Sequence, residues 1–206
     1  MLRINFIVLA LLPFVLSACA SMNEDECKLA NWETIGYEDG SNGHTQAQIG
    51  KHRSACAKHG VAPDLAAYQQ GHILGIRAYC NPSRGFSLGS NGGHYRGMCP
   101  KDVEPAFLNA YRAGKKVYIA RQKVSTLQNK QNAQKNELKT VKAQLKSKEN
   151  LLISPQGNIS QRAALLLEMK ELNQRSGELN AQIKQSDKEL VIAEAKLNHI
   201  SSTVRY

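Results

Sequence analysis

The residues best equipped for chemistry in this chain are Cys19, Cys27, Cys56, Cys80 and Cys99, with His44, His52, His59, His72 and His94 scattered among the last four. Sulfur and imidazole together raise zinc. Structural zinc sites, however, use closely spaced Cys-x-x-Cys pairs, and every cysteine spacing here is far longer, so neither a metal nor a cofactor is expected. The acids offer little more. Glu38 and Asp39 are adjacent, and neighbours on a helix diverge by roughly 100 degrees. They cannot flank a glycosidic bond as a hydrolase requires unless an acid such as Asp64 converges from elsewhere. Helix capping, or a salt link to Lys51 or Arg77, is the expected role. The sequence contains no serine-hydrolase elbow, phosphate loop, dinucleotide fingerprint or His-Glu-x-x-His motif, so no catalytic residue is assigned and a non-enzyme is expected. Trp32, Tyr37, Tyr79 and Tyr95, with Arg77, could line a surface for sugar or peptide, since such rings combine large contact area with a polar handle. The competing role for these aromatics is a small core.

The elements that would position these groups begin with an apolar run from Ile4 to Leu16 behind Arg3. It is shorter than the roughly 20 residues a membrane-spanning helix needs, and it has the flanks of a signal peptide. Its end, Leu16-Ser17-Ala18-Cys19, resembles the lipobox of bacterial lipoproteins. Residues 1–18 are then a removed signal, Cys19 a lipid anchor, and 19–26 a linker. More than one acyl chain holds a protein stably on a membrane. Without an aspartate after Cys19, the expected location is the periplasmic face of the outer membrane. Four cysteines are left, an even number that in an exported chain reads as two disulfides with three alternative pairings. Cys27 with Cys56 and Cys80 with Cys99 is favoured, because the second bridge closes a glycine-rich loop over residues 81–98.

Composition divides the 206 residues in two. Residues 27–114 hold the four paired cysteines and most glycines; residues 115–206 are rich in Lys, Gln, Glu, Asn, Ala and Leu. The second half carries two heptad seams with alternating steps of three and four. One runs through Val117, Ala120, Val124, Leu127, Gln131, Gln134, Leu138, Val141, Leu145, Lys148 and Leu152. The other runs through Leu165, Met169, Leu172, Ser176, Leu179, Ile183, Ser186, Leu190, Ala193, Leu197 and Ile200. Between them, Ser154-Pro155-Gln156-Gly157-Asn158 is turn chemistry. The pattern predicts an antiparallel helical hairpin, with an intermolecular coiled coil as the alternative. The fold class is therefore mainly α: a small disulfide-stapled helical domain with a glycine-rich loop, followed by a long coiled-coil hairpin.

The net charge of +10 is concentrated on the first leg, where ten Lys or Arg between Lys115 and Lys148 face one acid, Glu137. A basic helix attracts anionic surfaces. With no aromatic interleaved for base stacking, and with an exported address, nucleic acid is not expected. The expected partners are the membrane, through lipidated Cys19, and an envelope protein or anionic envelope polymer.

In the first half, Trp32, Gly36 and Gly40, then Tyr68, Gly71 and Gly75, then Tyr111 and Gly114, set an aromatic about one turn before a glycine. This internal echo predicts close helix packing, because glycine otherwise weakens a helix interior by about 1 kcal/mol. The ordered set from Trp32 and Ile35-Gly36-Tyr37-Glu38-Asp39-Gly40 through Tyr68-Gln69-Gln70-Gly71 and Gly75-Ile76-Arg77-Ala78-Tyr79-Cys80 to Cys99-Pro100 resembles the bacterial lipoprotein family catalogued as domain of unknown function 2799. The resemblance covers about residues 24–116. It implies a small cysteine-containing envelope lipoprotein and supplies no catalytic residue.

Overall fold

The structure is a computed structural model that describes residues 22–204. The expected signal segment 1–18 and the Cys19 anchor lie outside the described residues. Seven α-helices occur among the described residues, with no strand: α1 (Glu24–Lys28), α2 (Trp32–Ser41), α3 (Ile49–Cys56), α4 (Leu65–Tyr79), α5 (Pro82–Ser90), α6 (Glu104–Leu152) and α7 (Ile159–Thr203). The first turn of α1 thus takes up residues 24–26 of the stretch expected to be a linker. No described helix is long and apolar enough to cross a membrane.

Local chemistry sets the helix ends. The side chains of Asn31, Asn81 and Asn158 accept from the N–H groups of Thr34, Arg84 and Gln161 at 2.9–3.0 Å, and Asp64 accepts from Ala67 N–H at 3.0 Å. Each cap satisfies a donor that helix geometry leaves orphaned and contributes about 1 kcal/mol. Two single 3-10 turns extend α3 to Gln46–His59, and Gly60 stops it at φ +70°, in the left-handed conformation that costs other residues more.

The chain divides between Tyr79 and Cys80 into two compact units. In the first, α2 packs on α4 with backbone nearly touching backbone. A Cβ placed on Gly71 would lie 1.8 Å from the Glu33 carbonyl oxygen, and one on Gly36 would lie 2.0 Å from that of Tyr68. Gly40 and Gly75 face His72 O and Tyr37 O at 2.5 and 2.1 Å in the same sense. Close approach, as the echo predicted, is why these helices need glycine. The Cys27–Cys56 disulfide, with Cα atoms 5.5 Å apart, joins Trp32 and Tyr68 in the core beside this crossing.

The second unit repeats the device. Here α5 packs on the first turns of α6: a Cβ placed on Gly85, Gly89 or Gly114 would lie 2.4 Å from Phe107 O, 2.1 Å from Tyr111 O or 2.2 Å from Phe86 O. Gly36, Gly40 and Gly43 map onto Gly85, Gly89 and Gly92 at one constant sequence offset. Tyr68, His72, Gly75 and Tyr79 map onto Phe107, Tyr111, Gly114 and Tyr118 at another. In both units a positive-φ glycine after the first helix, Gly43 or Gly92, abuts the ring of the last aromatic, Tyr79 or Tyr118. Cys80–Cys99 staples the second copy as Cys27–Cys56 staples the first.

This corrects the expected glycine-rich loop: residues 82–90 form α5, started by the Asn81 cap and by Pro82 in the first turn. Gly85 and Gly89 there are a packing face. α6 runs without interruption from the glycine crossing past residue 114 into the arm.

Candidate functional site

The arm is an antiparallel pair of α6 and α7 within one chain. Every one of the seam residues is buried or half-buried, from Val117 to Leu152 on α6 and from Leu165 to Ile200 on α7. Leu179 is fully enclosed by the cluster with Val141 and Leu145. Polar seam positions find partners on the facing helix: Ser186 Oγ donates to Gln134 Oε1 (2.8 Å), Gln134 Nε2 to Gln182 Oε1 (3.2 Å), and Gln131 Nε2 to Asp187 Oδ1. A polar layer satisfied only in one register fixes that register, at some cost in stability. Arg175 adds ion pairs to Glu137 (2.6 Å) and Glu178 (3.1 Å), and Lys148 pairs with Glu168.

At the far end, Arg162 braces the turn, donating through Nη2 to Ser154 O (3.0 Å) and through Nε to Gly157 O (3.2 Å). The brace makes positive φ unnecessary at Gly157, which does not adopt it. Around this rigid turn the apolar side chains point outward: Ile159 is 89% exposed, Ile153 78% and Leu151 55%. These three were not singled out by sequence pattern, although isoleucine on both flanks of a turn of Ser, Pro, Gln, Gly and Asn is the signal that marks them.

A second constellation lies in the first unit. Tyr68 donates its phenol proton to Asp39 Oδ2 (2.8 Å), and His52 Nε2 lies 2.8 Å from the same oxygen, so one carboxylate oxygen ties α2, α3 and α4 together. The His72 ring stacks on Tyr68 at 5.9 Å and its Nε2 bonds the His44 carbonyl (2.8 Å), while its Nδ1 is buried without a hydrogen-bond partner. Burial, reinforced by the hydrogen bond and the charge of Asp39, pushes the Tyr68 phenol well above its ordinary value. A histidine held by a carboxylate is half of a hydrolytic relay. Here the carboxylate is shared with a tightly protonated phenol inside a core, an arrangement suited to holding helices in place. Asp39 thus bonds His52 and Tyr68, two partners that the sequence did not suggest for it.

The residues expected to form an aromatic surface do not act as one set. Trp32 is only 8% exposed and belongs to the core of the first unit, 6.4 Å from the His52 ring. Tyr37 is exposed, Arg77 is exposed but engaged, and Tyr79 is half-buried against Gly43. Tyr95, in the second unit, donates to Glu104 Oε1 (2.7 Å), accepts from Cys99 N–H (3.0 Å) and packs on Phe107. Burial first, and then Glu104, pushes its phenol up to about 12. Trp32 and Tyr95 are thus consumed by packing because each unit is too small to build a core from aliphatic residues alone. No three His, Cys, Asp or Glu side chains converge among the described residues as a metal site would require, and all four described cysteines are paired.

Residues 31–116 match the model of a family described as protein of unknown function (DUF2799). The match takes in both glycine-paired helix crossings and stops where α6 leaves the second one for the arm. No curated protein and no solved structure matches the chain.

Proposed function

We propose that this chain, whose residues 31–116 are a DUF2799 region, is an outer-membrane-anchored periplasmic lipoprotein with a non-enzymatic, protein-contacting role in the cell envelope. The two stapled helix crossings are its base, and the hairpin is the part that reaches a partner. The observation that carries this reading is the arm's tip. Three large apolar side chains, Leu151, Ile153 and Ile159, stand in solvent around a turn that Arg162 and a capping box hold rigid. Exposed apolar residues grouped on an ordered scaffold mark a contact surface. The lipobox-like Leu16-Ser17-Ala18-Cys19 supports the address, and the two disulfides suit an oxidising compartment. The assignment as a non-enzyme is supported by the commitment of Asp39, His52 and Tyr68 to one another.

A photo-crosslinking residue at Gln156, in cells carrying the lipidated protein, tests the reading. A discrete protein adduct that weakens with Ile153→Ser and Ile159→Ser is expected; an adduct unaffected by those changes, or none, overturns it. The second reading is a module that binds peptidoglycan or an anionic glycolipid. It is favoured by Lys135, Lys139, Lys142 and Lys146, all exposed at helical spacing on α6. Cosedimentation with isolated cell wall, abolished by strong salt and by neutralising those four lysines, would support it. Cell-wall hydrolysis is the third and least supported reading, and zymography tests it.

A further inference from the structure

The end of the hairpin opposite the tip has a surface unlike the rest of the arm. Lys116, Ile119, Ala120 and Lys123 on α6, at steps of three, one and three, face Ala193, Lys196 and Ile200 on α7. Ala120 and Ala193 are both seam residues, and where Leu145 and Leu179 fill the seam farther out, two methyl groups here leave it open. The result is a groove of about 520 Å³ between the helices, within the range of roughly 300–1,000 Å³ that small-molecule sites occupy. Its floor is apolar, with Ile119 59% exposed. Its rim carries three lysines and no acid, and no salt bridge joins any of the three to an acid among the described residues. Glu194, the acid beside Ala193 in sequence, is engaged by Gln128 Nε2 at 3.4 Å.

We propose that this groove binds the acyl chain of an anionic amphiphile, whose phosphate or carboxylate head is held by Lys116, Lys123 and Lys196. The two parts of the site call for the two parts of such a molecule. An apolar floor left in water is stabilised by a hydrocarbon chain, and a lysine stem can lie along that chain while its ammonium reaches the head group. Three cations without a counter-charge favour an anion over a neutral or zwitterionic head. A second copy of this chain is a poorer occupant, because a two-fold pairing through this face sets lysine against lysine with no acid between them. The inference does not rest on the tip, which lies at the other end of the arm.

The test uses the full chain carrying Cys19→Ala, so that no acyl group of its own competes, with both disulfides formed. The readout is the methyl NMR signals of Ile119 and Ile200. Three probes are compared: dodecyl phosphate and dodecyl maltoside, each below its micelle-forming concentration, and inorganic phosphate. Saturable shifts of both isoleucines with dodecyl phosphate are expected, with weaker shifts from the maltoside and none from inorganic phosphate. Neutralising the lysines to Gln one at a time should weaken dodecyl phosphate about fivefold for each lysine. Ala193→Leu, which fills the groove, should remove binding of both dodecyl probes while leaving helix content unchanged. Equal binding of phosphate and maltoside head groups, insensitivity to the three Lys→Gln changes, saturation by inorganic phosphate alone, or no isoleucine shift would each overturn the proposal. If Ala193→Leu lowers helix content, the lysine series decides the matter by itself.

Discussion

In the first unit a carboxylate, an imidazole and a phenol join three helices through one oxygen of Asp39; at the matching places in the second unit stand Leu88 and Phe107, with the Tyr95 ring packed on Phe107. The matching of backbones is otherwise close. His72 bonds the carbonyl of His44 at 2.8 Å, and Tyr111, its counterpart, bonds the carbonyl of Gly93, the counterpart of His44, at 3.0 Å. One helix crossing is therefore made twice, once around a carboxylate shared by three helices and once with Leu88 and Phe107 at those places. The glycines are what the crossing requires. The Asp39 network is an addition confined to the first unit; His72, stacked on its Tyr68, keeps a buried Nδ1 without a hydrogen-bond partner, at a cost in stability.

The largest effect should come from the glycines common to both units. Gly75→Leu and Gly114→Leu would drive a side chain into a backbone carbonyl, so each should abolish the cooperative near-ultraviolet CD transition of its own unit. Gly177→Ala, with nothing within 4 Å, should raise the arm's stability by up to about 1 kcal/mol. Survival of either leucine variant with native stability would break the account of the crossings. Next come the staples. Replacing either cysteine pair should cost about 3 kcal/mol in urea titrations, slightly more for Cys27–Cys56, whose partners are 29 residues apart against 19 for Cys80–Cys99.

Smaller, and more telling for the comparison, is the exchange of one unit's filling for the other's. Asp39→Leu alone strands Tyr68 and His52 and should cost about 1–3 kcal/mol. Combining it with Tyr68→Phe and His72→Tyr installs the residues of the second unit at those three places and leaves only His52 without its partner, so it should recover part of that loss. A triple variant less stable than the single one would show that the network is integral to the first unit. The smallest effect is alkaline. Tyr95 titrates at about 12 in the fold against 10.0 for free tyrosine, so the fold favours the protonated phenol. Stability should be constant below pH 10 and decline as pH rises from there through about 12. Tyr95→Phe should flatten that decline, and tyrosinate absorbance should show Tyr68 ionising later still.

The arm was legible because its information is local and repeated. Eleven seam positions on each leg keep the three-four spacing, and the turn residues between them make no other sense. The cysteine pairing followed from the same kind of proximity. The glycine crossings were half-legible: aromatic-to-glycine spacing gave close packing for α2 and α4, but Gly85 and Gly89 read as flexibility because nothing near them in sequence shows the α6 backbone they fit against. The polar network was not legible. Asp39 meets His52 across 13 residues and Tyr68 across 29, and only the folded crossing brings them to one oxygen. The tip isoleucines were visible as letters but acquired meaning only through their exposure.

The continuity of α6 makes the arm a lever. It is one helix of 49 residues, roughly 73 Å long at 1.5 Å per residue, gripped near its start by α5 and along the remainder by α7. No hinge separates the tip from the grip. A load applied at the turn would therefore reach the Gly85, Gly89 and Gly114 contacts as torque, where helix backbone already meets helix backbone. The Cys80–Cys99 bond anchors the chain entering that grip.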